Sequence, residues 1–200
     1  SPVAPTAGCC GEDWYWFDYG NVRFIAYPEP YSTAWSTWRR DADVLMRAVD
    51  TDPDIDWIVT YGHRPAYSSG HHTGDSNLAS YMNALGDAHP KYVLNLNGHS
   101  HNYERTIIEH GVMHVTVGTG GSTLERDGSG SCAWLACPAP SYSMKRAMHL
   151  GYLCLNFSHR EITGTFVCGP STSNDDVVCG KGTVFEEFVL AKTILGVDPP

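Results

Sequence analysis

The sequence contains no apolar run of the roughly 18 residues that a membrane-spanning helix requires, so no membrane span is expected. It has no excess of positive charge. Thirteen Lys and Arg stand against 22 Asp and Glu, for a net charge of -9. Nucleic acid is not an expected partner, because sequence-independent binding to it needs a basic face. No CxxC pair with zinc-ribbon spacing is present, and no GxGxxG loop of the kind that cradles a dinucleotide. Internal repeats and low-complexity runs are missing too. Ser1 to Gly8 lack the basic-then-apolar pattern of a secretion signal, so a secreted protein would already have lost it.

What is present is a hydrophobic fraction of 42%, ample for the core of one domain in 200 residues. Seven cysteines stand at 9, 10, 132, 137, 154, 168 and 179. Cys132 and Cys137 flank a short apolar stretch, and Cys168 and Cys179 flank a Gly/Pro/Ser/Asn loop. Both pairs read as local disulfides closing loops. Asn156-Phe157-Ser158 is a glycosylation sequon. Together these features place the chain in an oxidising compartment and make it secreted. The odd cysteine count leaves one thiol free or bonded outside the chain, with Cys9 or Cys10 the natural candidate.

Periodicity supplies an α+β reading. Residues 1–13 are irregular, 14–190 form the domain and 191–200 a tail. Trp14–Asp18 and Val22–Tyr27 read as a hairpin around Tyr19-Gly20-Asn21. Trp38, Ala42, Leu45, Met46 and Val49 repeat as one face of a helix over 36–49. Asp75 is placed to cap a second helix over 76–88. Short strands are expected at 57–59 and 92–96, then at 104–109, 112–117, 150–157, 161–167 and 183–190. Residues 118–148 read as one long loop, of a length that is usually functional or clamped.

The histidines are the chemically suggestive residues. Gly98-His99-Ser100-His101 follows a strand, and two histidines at i and i+2 there project to one side. Gly98 is expected to let the backbone approach closely. His63 follows another strand. Imidazole is a common ligand for zinc, iron and manganese, so His63, His99 and His101 are candidate metal ligands. His71 and His72 lie in a Ser/Gly loop, suited to contacting a phosphate or to proton transfer. The Gly118-Thr119-Gly120-Gly121 run reads as a phosphate cradle or a tight turn.

Five stretches, in order, resemble the purple acid phosphatases, a branch of the calcineurin-like metallophosphoesterases. They are the hairpin Trp14 to Phe24, the segment Ile58 to Tyr67 with His63, and Gly98-His99-Ser100-His101-Asn102-Tyr103-Glu104-Arg105. The other two are Gly111 to Val115 with Gly118–Gly121, and Ile162 to Phe166. The resemblance implies half of a four-layer α/β/β/α sandwich. It implies a dinuclear centre of Fe(III) with Zn, Mn or Fe(II), in which His63 and His99 take the divalent metal and His101 the iron. His71 and His72 would lie near the phosphate of a phosphomonoester substrate as catalytic residues.

The family's GDxG, GDxxY and GNH[DE] motifs, which bring its carboxylate, tyrosine and asparagine ligands, do not occur here, and Pro28-Glu29-Pro30 departs from the family pattern. Three histidines without carboxylates suit one zinc ion better than a hard ferric ion. Half a sandwich also leaves an apolar sheet face to cover. The expected partner is therefore an N-terminal half or another copy of the chain, linked through Cys9 or Cys10. The first completes a phosphatase. The second makes an inactive, secreted assembly protein, in the extreme a filament.

Overall fold

A computed structural model describes residues 14–29, 34–128 and 132–192. The irregular segment 1–13, with Cys9 and Cys10, and most of the 191–200 tail lie outside the described residues. The chain opens on the hairpin β1 (Trp16–Tyr19) and β2 (Val22–Ala26), turned at Gly20, whose φ is +58°. Helix α1 (Ala34–Asp50) leads to β3 (Trp57–Tyr61). Helix α2 (Ser76–Ala88) then leads to β4 (Tyr92–Asn97). Strands β5 (Tyr103–Thr106), β6 (Met113–Val117), β7 (Ser143–Ala147), β8 (Gly151–Phe157), β9 (Glu161–Cys168) and β10 (Val184–Ala191) follow.

Two sheets result. The larger has seven strands in the order β1-β2-β3-β4-β6-β5-β7, with β2, β3, β4 and β6 mutually parallel. The smaller is the antiparallel set β10-β9-β8. The layers are helices, seven-stranded sheet and three-stranded sheet, an α+β arrangement that matches half of a metallophosphoesterase-like sandwich.

Alternation along the strands explains the layers. Ile25, Ile58 and Tyr92 face the helices and meet Trp38, Ala42, Met46 and Val49 of α1 and Leu78, Met82 and Leu85 of α2. Val22, Trp57, Val59, Leu94 and Val115 face the opposite way and meet Ile162, Phe166, Phe188 and Leu190 of the smaller sheet, Leu94 lying opposite to Tyr92 because β4 shifts register against β3 between the two. A period of two sends successive side chains to opposite faces, so each strand feeds two cores. The three-stranded sheet thus covers part of the apolar face that was expected to stand open.

The helix ends are closed locally. Asp75 accepts from the N–H groups of Asn77 and Leu78 at 2.9 and 3.1 Å, satisfying two orphan donors of α2. Asp75→Ala is expected to cost about 1 kcal/mol, lowering the melting temperature by about 3 °C in a chain of this size; thermal unfolding followed by circular dichroism checks it. Lys91 Nζ donates to the carbonyls of Val49, Asp52 and Ile55, each at 2.6 Å, and so closes the end of α1.

The 118–148 loop is interrupted by a strand that the sequence reading missed. Strand β7 pairs with β5, but Ser143-Met144-Lys145-Arg146-Ala147 has no β-branched residue, and its charged middle suits an edge. The strand expected at 104–109 stops at Thr106, and Glu109 and Val112 form an isolated bridge around the His110–Gly111 turn. Both disulfides, Cys132–Cys137 and Cys168–Cys179, are present, with Cα separations of 6.6 and 6.1 Å. The free thiol among the described residues is Cys154, exposed on β8, a position the sequence did not single out.

A buried polar ladder runs along the helix-facing side of the larger sheet. Thr60 Oγ1 meets Tyr92 OH at 2.7 Å, Asn95 Nδ2 donates to Thr60 Oγ1, Asn97 Nδ2 to Asn95 Oδ1, and Thr116 Oγ1 to Asn97 Oδ1. His114 Nδ1 lies 3.3 Å from Asn95 Oδ1. Burial pushes the His114 imidazole from its ordinary 6.5 down to about 3. Between those two values the unfolded chain binds a proton that the folded chain does not. This part of the stability is therefore full above pH 6.5 and is lost as pH falls toward 3. Unfolding midpoints should drop from pH 7 to pH 4, and His114→Gln should flatten that slope.

Candidate functional site

In open sheets with parallel strands, ligand sites form outside the carboxyl ends of the strands. Here those ends deliver the histidines. The loop after β3 carries His63, His71 and His72. The loop after β4 carries His99 and His101. The loop after β6 carries Glu125 and Asp127, and the chain after β2 carries Glu29.

The loops are held together by backbone contacts. Gly98 N–H donates to the His63 carbonyl at 3.0 Å, and Gly62 N–H to that of Leu96 at 3.1 Å. Gly98 itself has open space around its Cα, contrary to the close approach expected of it. The close approaches are elsewhere. A Cβ on Gly70 would strike the Asn102 and Ser100 side chains, and one on Gly118 would strike the Ser100 carbonyl. His99, at the rim, has a φ of +63°, in the left-handed region that residues other than glycine adopt uncommonly, as does His110 in its turn. Beneath the rim, the buried Glu104 carboxylate accepts from Ser69 N–H at 2.7 Å, from Ser69 Oγ at 2.6 Å and from Ser143 Oγ. It anchors the loop that bears His71 and His72.

Four imidazoles form a continuous row. His63 Nε2 lies 3.0 Å from His99 Nδ1, and the His72 ring stacks on His99 with centroids 4.0 Å apart. His71 follows, with its ring centroid 4.7 Å from that of His72. His99 Nε2 meets Arg64 Nη1 at 3.2 Å, and Arg64 is paired to Glu29. Burial, followed by the positive charge of His72, Arg64 and His63, lowers His99 to about 4, which keeps its ring neutral near pH 7. His101 stands apart from the row. Its Nδ1 lies 2.8 Å from the Thr123 carbonyl and 3.4 Å from Glu125 Oε1. Glu125 also lies 3.5 Å from His72 Nε2, and Asp127 lies 3.2 Å from His71 Nδ1.

The carboxylates are the residues that sequence reasoning missed. The histidines seemed to stand without acids because Glu125 and Asp127 lie more than 20 residues further along the chain, in a loop with no recognised pattern. The only available signal was the length of that loop.

The donor set can be tested against the Fe(III)-containing pair that the resemblance implies. A hard ferric ion wants anionic oxygen donors, and a metal pair wants a bridging one. At His101 the described residues offer the single carboxylate of Glu125, and both ring nitrogens of His99 are already engaged by His63 and Arg64. The described residues therefore do not fit that pair by themselves, although the imidazoles suit a borderline divalent ion.

Comparison with known proteins agrees with the architecture. No protein-family model matches the sequence. The chain is 30% identical over 103 residues to glideosome-associated protein 50 of Plasmodium falciparum (isolate 3D7), a match covering 51% of this chain and 24% of that protein. In structure it resembles the Plasmodium protein of that name described as the anchor in the inner membrane complex. The TM-score is 0.64 at 23% identity, covering 90% of this chain and 54% of that one. A purple acid phosphatase from yellow lupin (Lupinus luteus) seeds gives 0.63 at 22% identity, over 89% of this chain and 32% of that one. A dimetal phosphatase from Danio rerio gives 0.52 at 11% identity, over 92% and 62%. The chain thus spans about a quarter of the curated relative and about half of the first of these structures. Its fold is half of the metallophosphoesterase-type sandwich, shared alike by phosphatases and by a protein described as an anchor.

Proposed function

We propose that this chain is a non-catalytic assembly component built on half of a phosphatase-type sandwich, secreted into an oxidising compartment, whose open seam is covered by another copy of itself. The observation that carries this reading is the seam. Among the described residues β8 pairs with no strand but β9, and although Thr119 bonds both the N–H and the C=O of Gly151, the edge beyond Gly151 has no strand partner. Beside that edge lies a cleft of about 330 Å³ lined by Leu96, Val117, Tyr152, Leu153 and Leu155. Tyr15, Phe17, Phe24, Tyr61 and Phe157 continue the apolar surface, with neighbouring rings 5.1–6.5 Å apart. An apolar cleft beside an unpaired edge is a surface that soluble proteins cover. The similarity to a protein described as an anchor supports the same reading. Asn156 is exposed and alternates with the inward-facing Leu155 and Phe157, so a glycan there leaves the edge free.

A second reading is favoured by the imidazole row. In it a complementary half of the sandwich supplies the missing oxygen ligands, and His63, His99 and His101 hold a dinuclear centre that hydrolyses phosphomonoesters. His71 and His72 then contact the phosphate. An assay with p-nitrophenyl phosphate at pH 5, run on the protein isolated from its native source with any partner chain retained and with Fe(III) and Zn²⁺ or Mn²⁺ added, separates the two. The first reading predicts no turnover above the metal-only control. Turnover that disappears in His101→Ala would establish the second and sink the first.

A further inference from the structure

Glu125 changes the meaning of the two histidines beside it. His71, His72 and Glu125 place one donor atom each within 4.8 Å of one another, the spacing of ligands around a single ion. We propose that these three residues form a mononuclear site for a Zn²⁺-class cation, distinct from the set His63, His99 and His101. The proposal requires neither self-association nor phosphoester hydrolysis.

Two imidazoles and one carboxylate, with a fourth position open to solvent, are a zinc donor set. The supporting contacts are those such a site needs. Asp127 Oδ1 faces His71 Nδ1 at 3.2 Å, the kind of carboxylate contact that orients a ligating imidazole and leaves its Nε2 for the ion. The His101 backbone N–H donates to Glu125 Oε2, and the His101 ring lies 3.4 Å from Oε1, so the carboxylate is held from a second loop. Stacking on His99 fixes the plane of the His72 ring. The loop carrying both histidines is pinned below by Glu104 through Ser69. The ligand side chains keep between about a quarter and a half of their surface, which leaves an ion a path from solvent.

Isothermal titration of the full chain with ZnCl₂ at pH 7 should show one ion per chain with micromolar or tighter affinity. Glu125→Gln and His72→Ala should each weaken binding tenfold or more, and Asp127→Asn by roughly tenfold, as an outer-shell partner of a ligand does. His159→Ala, at the opposite end of the strands beside Asp56, should leave binding unchanged. The proposal is overturned by the absence of saturable binding. It is equally overturned if His63→Ala abolishes binding while Glu125→Gln does not, which is the pattern the phosphatase-type ligand set predicts. Should a ligand variant fail to fold, Co²⁺ titration of the unaltered chain decides. Intense four-coordinate absorption supports the site, and weak six-coordinate absorption contradicts it.

Discussion

Replacing Glu104 with alanine is expected to destabilise the chain by about 4 kcal/mol, because hydrogen bonds to a buried carboxylate are worth more than neutral ones and their abandoned donors stay buried. The carboxylate is the common acceptor for the backbone and hydroxyl of Ser69 and the hydroxyl of Ser143. Through them it joins β5 to the loop of His71 and His72 and to the start of β7. Arg146 Nη1 adds a further contact, donating to Ser69 Oγ at 3.1 Å. In a chain of this length the loss corresponds to a melting temperature lower by roughly 10 °C. Glu104→Gln should cost less, since the carboxamide keeps one acceptor oxygen and the shape of the side chain. The two variants differ in a second readout. Glu104→Ala releases the loop, so zinc affinity should fall along with stability.

The other large effect lies at the junction of the two sheets. Phe166 is fully buried on β9, and its ring stacks on Tyr103 of β5 at a centroid distance of 4.1 Å. Phe185 meets it edge-on at 6.2 Å. Phe166→Ala removes this contact between the sheets and opens a cavity, a change that typically costs about 3–5 kcal/mol. The smaller sheet should then separate from the larger before the helical layer unfolds. Denaturant titration followed in parallel by Trp fluorescence and far-ultraviolet circular dichroism should therefore show two transitions in place of one. Superimposable transitions at an unchanged midpoint would contradict the role given to Phe166.

Much of this architecture was legible in the sequence, for identifiable reasons. Helix α2 was readable because Asp75 and the Leu78–Met82–Leu85 stripe specify a start and a face. The strands around Trp57, Tyr92 and Ile162 were readable because burial on both faces or strict alternation leaves a local pattern. Strand β7 was not readable. Its residues are polar and unbranched, and only pairing to β5 makes it a strand. The site divides in the same way. Histidines at the ends of short apolar strands announce themselves, so His63, His99 and His101 could be picked out as candidates, although only His63 and His99 meet. Their actual partners were not. His101 turns to Glu125 and Thr123, while His72 moves in beside His99, and both outcomes depend on how the loops after β3 and β6 meet. Gly98 looked like the residue of close approach, yet Gly70 and Gly118 fill that role, because packing between loops has no signature within one loop.

The central claim is that the seam beside β8 is covered by another copy of the chain. Sedimentation equilibrium over a concentration series tests it most directly, in a Cys9→Ser, Cys10→Ser, Cys154→Ser variant, so that no bridge forms between chains while Cys132–Cys137 and Cys168–Cys179 stay closed. The account predicts a mass that rises to a multiple of the monomer, and return to the monomer in Tyr152→Lys, where a charge stands on the exposed rim of the cleft. A chain that stays monomeric throughout the series would contradict it.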